Sequence, residues 1–145
     1  MKKSLLFLLI ILNLISCEVS TKPIDYGNDS CELCKMIVSD KRYGTEIVTK
    51  KGKVFTFDSV ECLLHFLNQK KIKNSDIFGI YITDFSKPDF LHDATSSFYL
   101  LSEKLPSPMG ENITAFQNKQ IALKQQVKYT GYVLNWKELQ KIVKR

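Results

Sequence analysis

The side chains best suited to chemistry in this sequence are sulfur-bearing: four cysteines, and two methionines beyond the initiator. Cys31 and Cys34 form a CxxC, and Met36 follows in the run Cys31-Glu32-Leu33-Cys34-Lys35-Met36. Thiolate and thioether sulfurs are soft, polarisable donors that favour Cu(I) over hard cations such as Mg²⁺ and Ca²⁺. If the chain leaves Cys34 extended, residues two apart point to one side of a strand, so Cys34 and Met36 converge on one ion. A low-coordinate Cu(I) needs one more sulfur. Met109 offers it from the turn Pro106-Ser107-Pro108-Met109-Gly110, where proline and glycine shape a loop instead of continuing a core period. The expected metal ligands are therefore Cys34, Met36 and Met109. The plainer alternative is that these sulfurs pack as ordinary core side chains.

The remaining candidates are weaker. Cys31 is a possible additional metal or redox residue: a fourth donor, a disulfide partner that must be reduced before copper binds, or a bystander. Cys62 adjoins Leu63 and Leu64 on a helical period and is expected to be a core thiol. Of the two histidines, His65 is expected to face solvent from a helix. His92, next to Asp93, is the better additional ligand, because a carboxylate can orient an imidazole. Glu61 and Glu138 are read as helix-capping residues.

Cys17 stands apart. Met1-Lys2-Lys3, the apolar stretch Leu5 to Leu12 and Leu14-Ile15-Ser16 precede it, in the order of a secretory signal with a lipobox. Residues 1–16 are expected to be a signal peptide, with Cys17 lipidated and the chain anchored in the cell envelope facing the periplasm. Residues 17–29, with Ser20, Thr21, Lys22, Pro23, Gly27 and Asn28 and no apolar period, read as a flexible tether. With Cys17 acylated, an odd number of thiols is left in an exported chain, which a ligand or reactive role would explain.

The elements that must position these residues fill 30–145, read as one α+β domain with approximate halves 30–84 and 85–145. Strands are expected over Met36–Val38, Thr45–Thr49 and Lys53–Phe57, the last two joined as a hairpin around Lys51-Gly52. Asp58 and Glu61 then form a capping box ahead of a helix whose Val60, Leu63, Leu64 and Leu67 share one face. A strand over Ile77–Ile82 and a loop over Asp84–Asp89 follow. Strands over Phe98–Leu101 and Ile113–Phe116 flank the Met109 turn, and a helix runs over Lys119–Val127. Gly131-Tyr132-Val133-Leu134 then enters a second box, Asn135 with Glu138, before Trp136, Leu139, Ile142 and Val143 at helical spacing.

The net charge of +6 is carried by separated lysines, which read as a solvated surface; no Arg/Lys stripe interleaved with aromatics points to nucleic acid. No GxSxG, phosphate loop or HExxH is present. A thiol–disulfide oxidoreductase using Cys31 and Cys34 is the second reading. It lacks a thioredoxin-like βαβ pattern and places its CxxC before a strand, whereas reactive thiols favour a helix N-terminus. A lipoprotein adaptor without metal is the third. The expected protein is not an enzyme.

Taken together, the lipobox at Cys17, Cys34-Lys35-Met36, the Phe57-Asp58 step and Ser107-Pro108-Met109-Gly110 followed by Ala115-Phe116 resemble the NosL family of copper lipoproteins. The resemblance spans the mature domain. It implies two ββαβ-like halves packed together, similar to part of organomercurial lyase, a likeness of fold that carries no lyase chemistry. It also implies a Cu(I) site at Cys34, Met36 and Met109, and copper delivery to periplasmic nitrous-oxide reductase or another cuproenzyme. One departure stands out: the family commonly has glycine between the cysteine and methionine, and this chain has Lys35, a cation beside the expected ion.

Overall fold

β-branched and aromatic residues build the first sheet, because such side chains fit a pleated, half-buried surface. β1 (Thr45–Thr49) and β2 (Val54–Phe57) form an antiparallel hairpin whose turn uses Gly52 at φ 79°. After α1 (Val60–Asn68), β3 (Ile77–Asp84) pairs with β1 and β4 (Lys87–Asp93) pairs with β3, giving the order β2-β1-β3-β4. The second sheet joins β5 (Phe98–Leu101), β6 (Ile113–Phe116) and β7 (Tyr132–Asn135) in the order β6-β5-β7. α2 (Lys119–Tyr129) precedes β7 and α3 (Trp136–Val143) follows it. The α+β expectation is met, with both sheets antiparallel. This computed structural model describes residues 18–143, so the signal segment and Cys17 lie outside the described residues. Among the described residues, no helix is long and apolar enough to cross a membrane.

One main core joins the two sheets. Ile47, Phe57, Leu63 and Ile82 pack in the same cluster as Tyr99, Ile113, Trp136 and Leu139. Tyr99 is fully buried, and its hydroxyl satisfies itself by donating to the Ala94 carbonyl at 2.7 Å. α1 lies at this junction, so residues on its first turn sit between the chain's two sheets. Burying a leucine- or phenylalanine-sized side chain here contributes about 1.5–3 kcal/mol each.

Three local expectations are corrected. The loop placed over Asp84–Asp89 is instead the hairpin into β4. This edge strand was hidden by its charged, exposed residues, by Pro88 and by Asp89 at φ 66°, all features that edge strands tolerate. Met36–Val38 is not a strand; only an isolated Ser30–Ile37 bridge forms there, because the chain turns through Lys35 at φ 64°. Nor does the run read as a tether hang free to residue 29. The Lys22 N–H reaches Glu46, Ile24 and Tyr26 pack on the main core, and the Gly27 N–H donates to the Val38 carbonyl at 2.9 Å. Two apolar residues in a polar run make no period, but they suffice when a sheet is there to receive them.

Candidate metal centre

The CxxC is wound into a tight turn. The Cys31 N–H donates to the Met36 carbonyl at 2.8 Å and the Lys35 N–H to the Cys31 carbonyl at 3.0 Å, while the Glu32 N–H ties the turn to β2 through the Thr56 carbonyl at 2.8 Å. Facing it is the step from β2 into α1. Ser59, in extended conformation, caps the helix by accepting from the Cys62 N–H at 3.4 Å. That leaves the Asp58 carboxylate free to turn towards the cysteines and brings Cys62 in on the first helical turn. Cys31, Cys34, Asp58 and Cys62 each present a ligand atom, all within 4.8 Å of one another. All three cysteines are free thiols.

Burial and hydrogen bonding differentiate the four. Cys31 and Cys62 are enclosed, Asp58 is buried, and Cys34 is half-buried at the mouth of the group. The Cys34 thiol donates to Asp58 Oδ2 at 3.5 Å; Asp58 Oδ1 is buried with no partner. The hydrogen bond it takes from Cys62 holds Cys31 low, at about 6, against the opposing effect of burial. Cys62 is raised because it is the donor in that pair, and Cys34 is raised chiefly by burial.

The loop bearing Met109 is braced from the same helix. Glu61, fully buried on α1, accepts the Ser107 hydroxyl and, at 3.2 Å, the Ile113 N–H. Ser107 Oγ in turn accepts the Asn112 N–H at 2.9 Å, and His65 is hydrogen-bonded to Glu111. The helix that presents Cys62 therefore also fixes the loop 106–113 at both ends. Burial raises the Glu61 carboxyl above its ordinary range, although four hydrogen bonds oppose the shift.

A NosL family model matches residues 24–143. The chain belongs to the NosL family. It is 28% identical over 130 residues to the copper-binding lipoprotein NosL of Stutzerimonas stutzeri, across 84% of this chain and 68% of that protein. The crystal structure of the copper chaperone NosL from Shewanella denitrificans matches it with a TM-score of 0.72 at 25% identity, covering 83% of this chain and 96% of that one. The family match opens at Ile24, one of the apolar residues that pack the amino-terminal segment onto the main core.

Within this NosL-family domain the sequence-predicted residues fall unevenly. Cys34 sits at the mouth of the thiol group, and Cys31 belongs to that group. Met36 is 56% exposed and Met109 38% exposed, so both thioethers are available at the surface. Strand alternation does not align Cys34 with Met36, because Lys35 takes the left-handed region between them. The Lys35 ammonium meets Glu32 at 3.4 Å. Cys62, expected to be a plain core thiol, is buried but buried against sulfur. Asp58 and Glu61, read as a capping box, do not cap; Ser59 does. Cys62 falls on the first helical turn and Asp58 before the extended Ser59 cap, so helical spacing carried no signal that the two would meet. His92 stays outside the group: it stacks on Phe90 with centroids 6.3 Å apart, and neither ring nitrogen has a partner. Asp93 does not orient it, accepting instead from Thr95 Oγ1 at 2.6 Å and the Ser96 N–H at 2.9 Å.

Proposed function

We propose that this NosL-family protein is a non-enzymatic Cu(I) chaperone, anchored to the cell envelope through Cys17 and facing the periplasm. It would hold Cu(I) at Cys34 with Met36 and Met109 and pass it to a copper-accepting enzyme; nitrous-oxide reductase is the recipient that the family resemblance implies. The observation that carries the reading is Cys34 at the half-open mouth of a sulfur-rich group, with a solvent-exposed thioether two residues on.

The chemistry follows from the donors. An arriving Cu(I) displaces the Cys34 thiol proton, which is directed at Asp58 in the metal-free chain, and binding therefore weakens as pH falls. The thiolate is the strong ligand and the two thioethers the exchangeable ones, since neutral sulfur offers softness without charge. Exposed Met36 and Met109 let an incoming sulfur or nitrogen from a partner enter before the protein's own ligands leave. Glu61 and Ser107 hold the Met109 loop in place, and the Lys35 ammonium is paired with Glu32.

The dithiol alternative meets an obstacle in the same geometry. The thiol held low is the enclosed Cys31, whereas the reachable Cys34 is raised. An oxidoreductase needs its low thiol accessible.

The test is anaerobic Cu(I) titration of the reduced full chain in detergent against a competing chelator. One-to-one binding is expected. Cys34→Ser, Met36→Ala and Met109→Ala should each weaken it by at least the roughly 10–100-fold typical of changes around a metal's ligands. Binding indifferent to all three would discard the site.

A further inference from the structure

The copper reading gives no role to the opposite end of the molecule. There β1 finishes and β2 and β3 begin, and α1 runs back to the same end from the close of β2. Lys50, Lys51 and Lys53 of the β1–β2 turn therefore meet Lys70, Lys71 and Lys73 of the α1–β3 connection. The Lys50 N–H ties the two loops together by donating to the Asp76 carbonyl at 2.9 Å. Lysines that are scattered along the sequence are gathered by the fold.

All six are exposed, and among the described residues none of them makes an ion pair. Lys53 and Lys71 reach over the rings of Phe55 and Phe66, contacts that carry no countercharge. The two loops hold a single acid, Asp76. At the copper end the cations are treated differently: Lys35 sits on Glu32, Lys41 on Asp89 and Arg42 on Asp40. Phe78, exposed where β3 begins, adds an apolar side chain to the lysine end. Cations with an apolar residue among them suit the boundary between lipid headgroups and acyl chains.

The chain also enters at this end. Glu18, Val19 and Thr21 share a groove with Lys50, Lys51 and Val54, and the Lys22 N–H fastens the segment to Glu46 of β1 at 3.3 Å. Cys17 is bonded to Glu18, so an acyl anchor there is attached beside the lysines. The copper position lies at the other end of the same strand: from Lys53 to Asp58 extended chain covers about 17 Å.

We propose that the lysine end is a docking surface for anionic lipid headgroups, which seats the domain on the membrane with Cys34 and the Met109 loop turned outward. The orientation rests on the reading of Cys17 as the lipid anchor. One flexible attachment leaves a domain free to tumble. Six unpaired lysines held within a Debye length of about 8 Å from an anionic surface give it a preferred face.

The experiment uses the full chain, with its amino terminus as processed in the cell, in nanodiscs of phosphatidylcholine alone or of equal parts phosphatidylcholine and phosphatidylglycerol. Lysines are modified with a water-soluble amine reagent and the sites read by mass spectrometry. On anionic discs the six lysines should react roughly fivefold or more slowly than on neutral discs, and high salt should remove the difference. Lys87, paired with Asp84 at the far end of the first sheet, and Lys119, close to the Gln117 N–H that Asp84 accepts, should react alike on both. Lys51→Glu with Lys73→Glu should return the remaining four to the neutral-disc rate, whereas Lys87→Glu with Lys119→Glu should leave them protected. Equal protection on the two discs, protection spread to Lys87 and Lys119, or indifference to the Lys51 and Lys73 reversal would overturn the proposal. An amino-terminal peptide whose mass lacks acyl chains would sink the anchor alone; the same comparison, with the chain added to the discs from solution, then decides the docking surface.

Discussion

Two strands of this chain run into helices through the same pattern, Asp58-Ser59-Val60-Glu61 at α1 and Asn135-Trp136-Lys137-Glu138 at α3, and the hydrogen bonds they make are different. At α3 the pair closes on itself: the Asn135 N–H donates to Glu138 Oε2 at 2.8 Å and the Glu138 N–H to Asn135 Oδ1 at 3.1 Å. At α1 neither acid touches the other's backbone. Ser59 takes over the cap, Asp58 turns to the thiols and Glu61 reaches across to the Met109 loop. The α3 box is exposed, so its local bonds have no rival but water. The α1 box lies where two sheets meet, and a buried carboxylate goes to whichever donors are also buried. The residue that makes the difference is Ser59, a second capping side chain that frees both acids.

The largest break in this comparison should come from Glu61→Ala. It leaves the Ser107 hydroxyl and the Ile113 N–H unpaired in the interior, and is expected to cost about 2–4 kcal/mol in denaturant unfolding. Equal losses for Glu61→Ala and Glu138→Ala would show that burial does not separate the two boxes. The pH dependence extends the contrast to a second buried glutamate. Glu46 accepts one backbone bond, from Lys22 at 3.3 Å, and its Oε1 has no partner; burial pushes it up to about 7. Because the folded value exceeds the unfolded one, stability is fullest below the ordinary carboxylate range and falls as pH rises through the interval up to about 7. Glu46→Gln should flatten that decline, measured as denaturation midpoints across the interval; an unchanged slope would remove Glu46 as its source. Next in size, Ser59→Ala should cost about 1 kcal/mol, the usual value of a side-chain cap. Glu138→Ala should cost least, about 0.5 kcal/mol, as befits an exposed reciprocal bond.

The fold is legible in the sequence where side-chain period decides structure on its own. β1, β5 and β6 occupy the residues expected for them, since β-branched and aromatic runs leave little choice. α2 extends two residues beyond its expected end, to Tyr129. β4 escaped notice because an edge strand is held by backbone pairing to β3 and needs no apolar face. At the site, sulfur chemistry pointed to Cys34 and to the chemical class of the ion. It did not reveal Cys62 or Asp58 as neighbours of Cys31. Helical period says that a residue is buried but not what it is buried against, and a capping motif says what an acid is able to do but not which donor it meets.

Lys35 places a cost on the turn that carries Cys34. Its backbone sits at φ 64° between two residues read as copper ligands, a region in which a side chain costs roughly 1–2 kcal/mol and glycine almost nothing. A glycine would suit this turn; the lysine opposes it. The cost is already met in the metal-free chain, where the Cys31 N–H bond to the Met36 carbonyl and the Lys35 N–H bond to the Cys31 carbonyl hold the turn closed. The turn that places Cys34 is therefore set before an ion arrives.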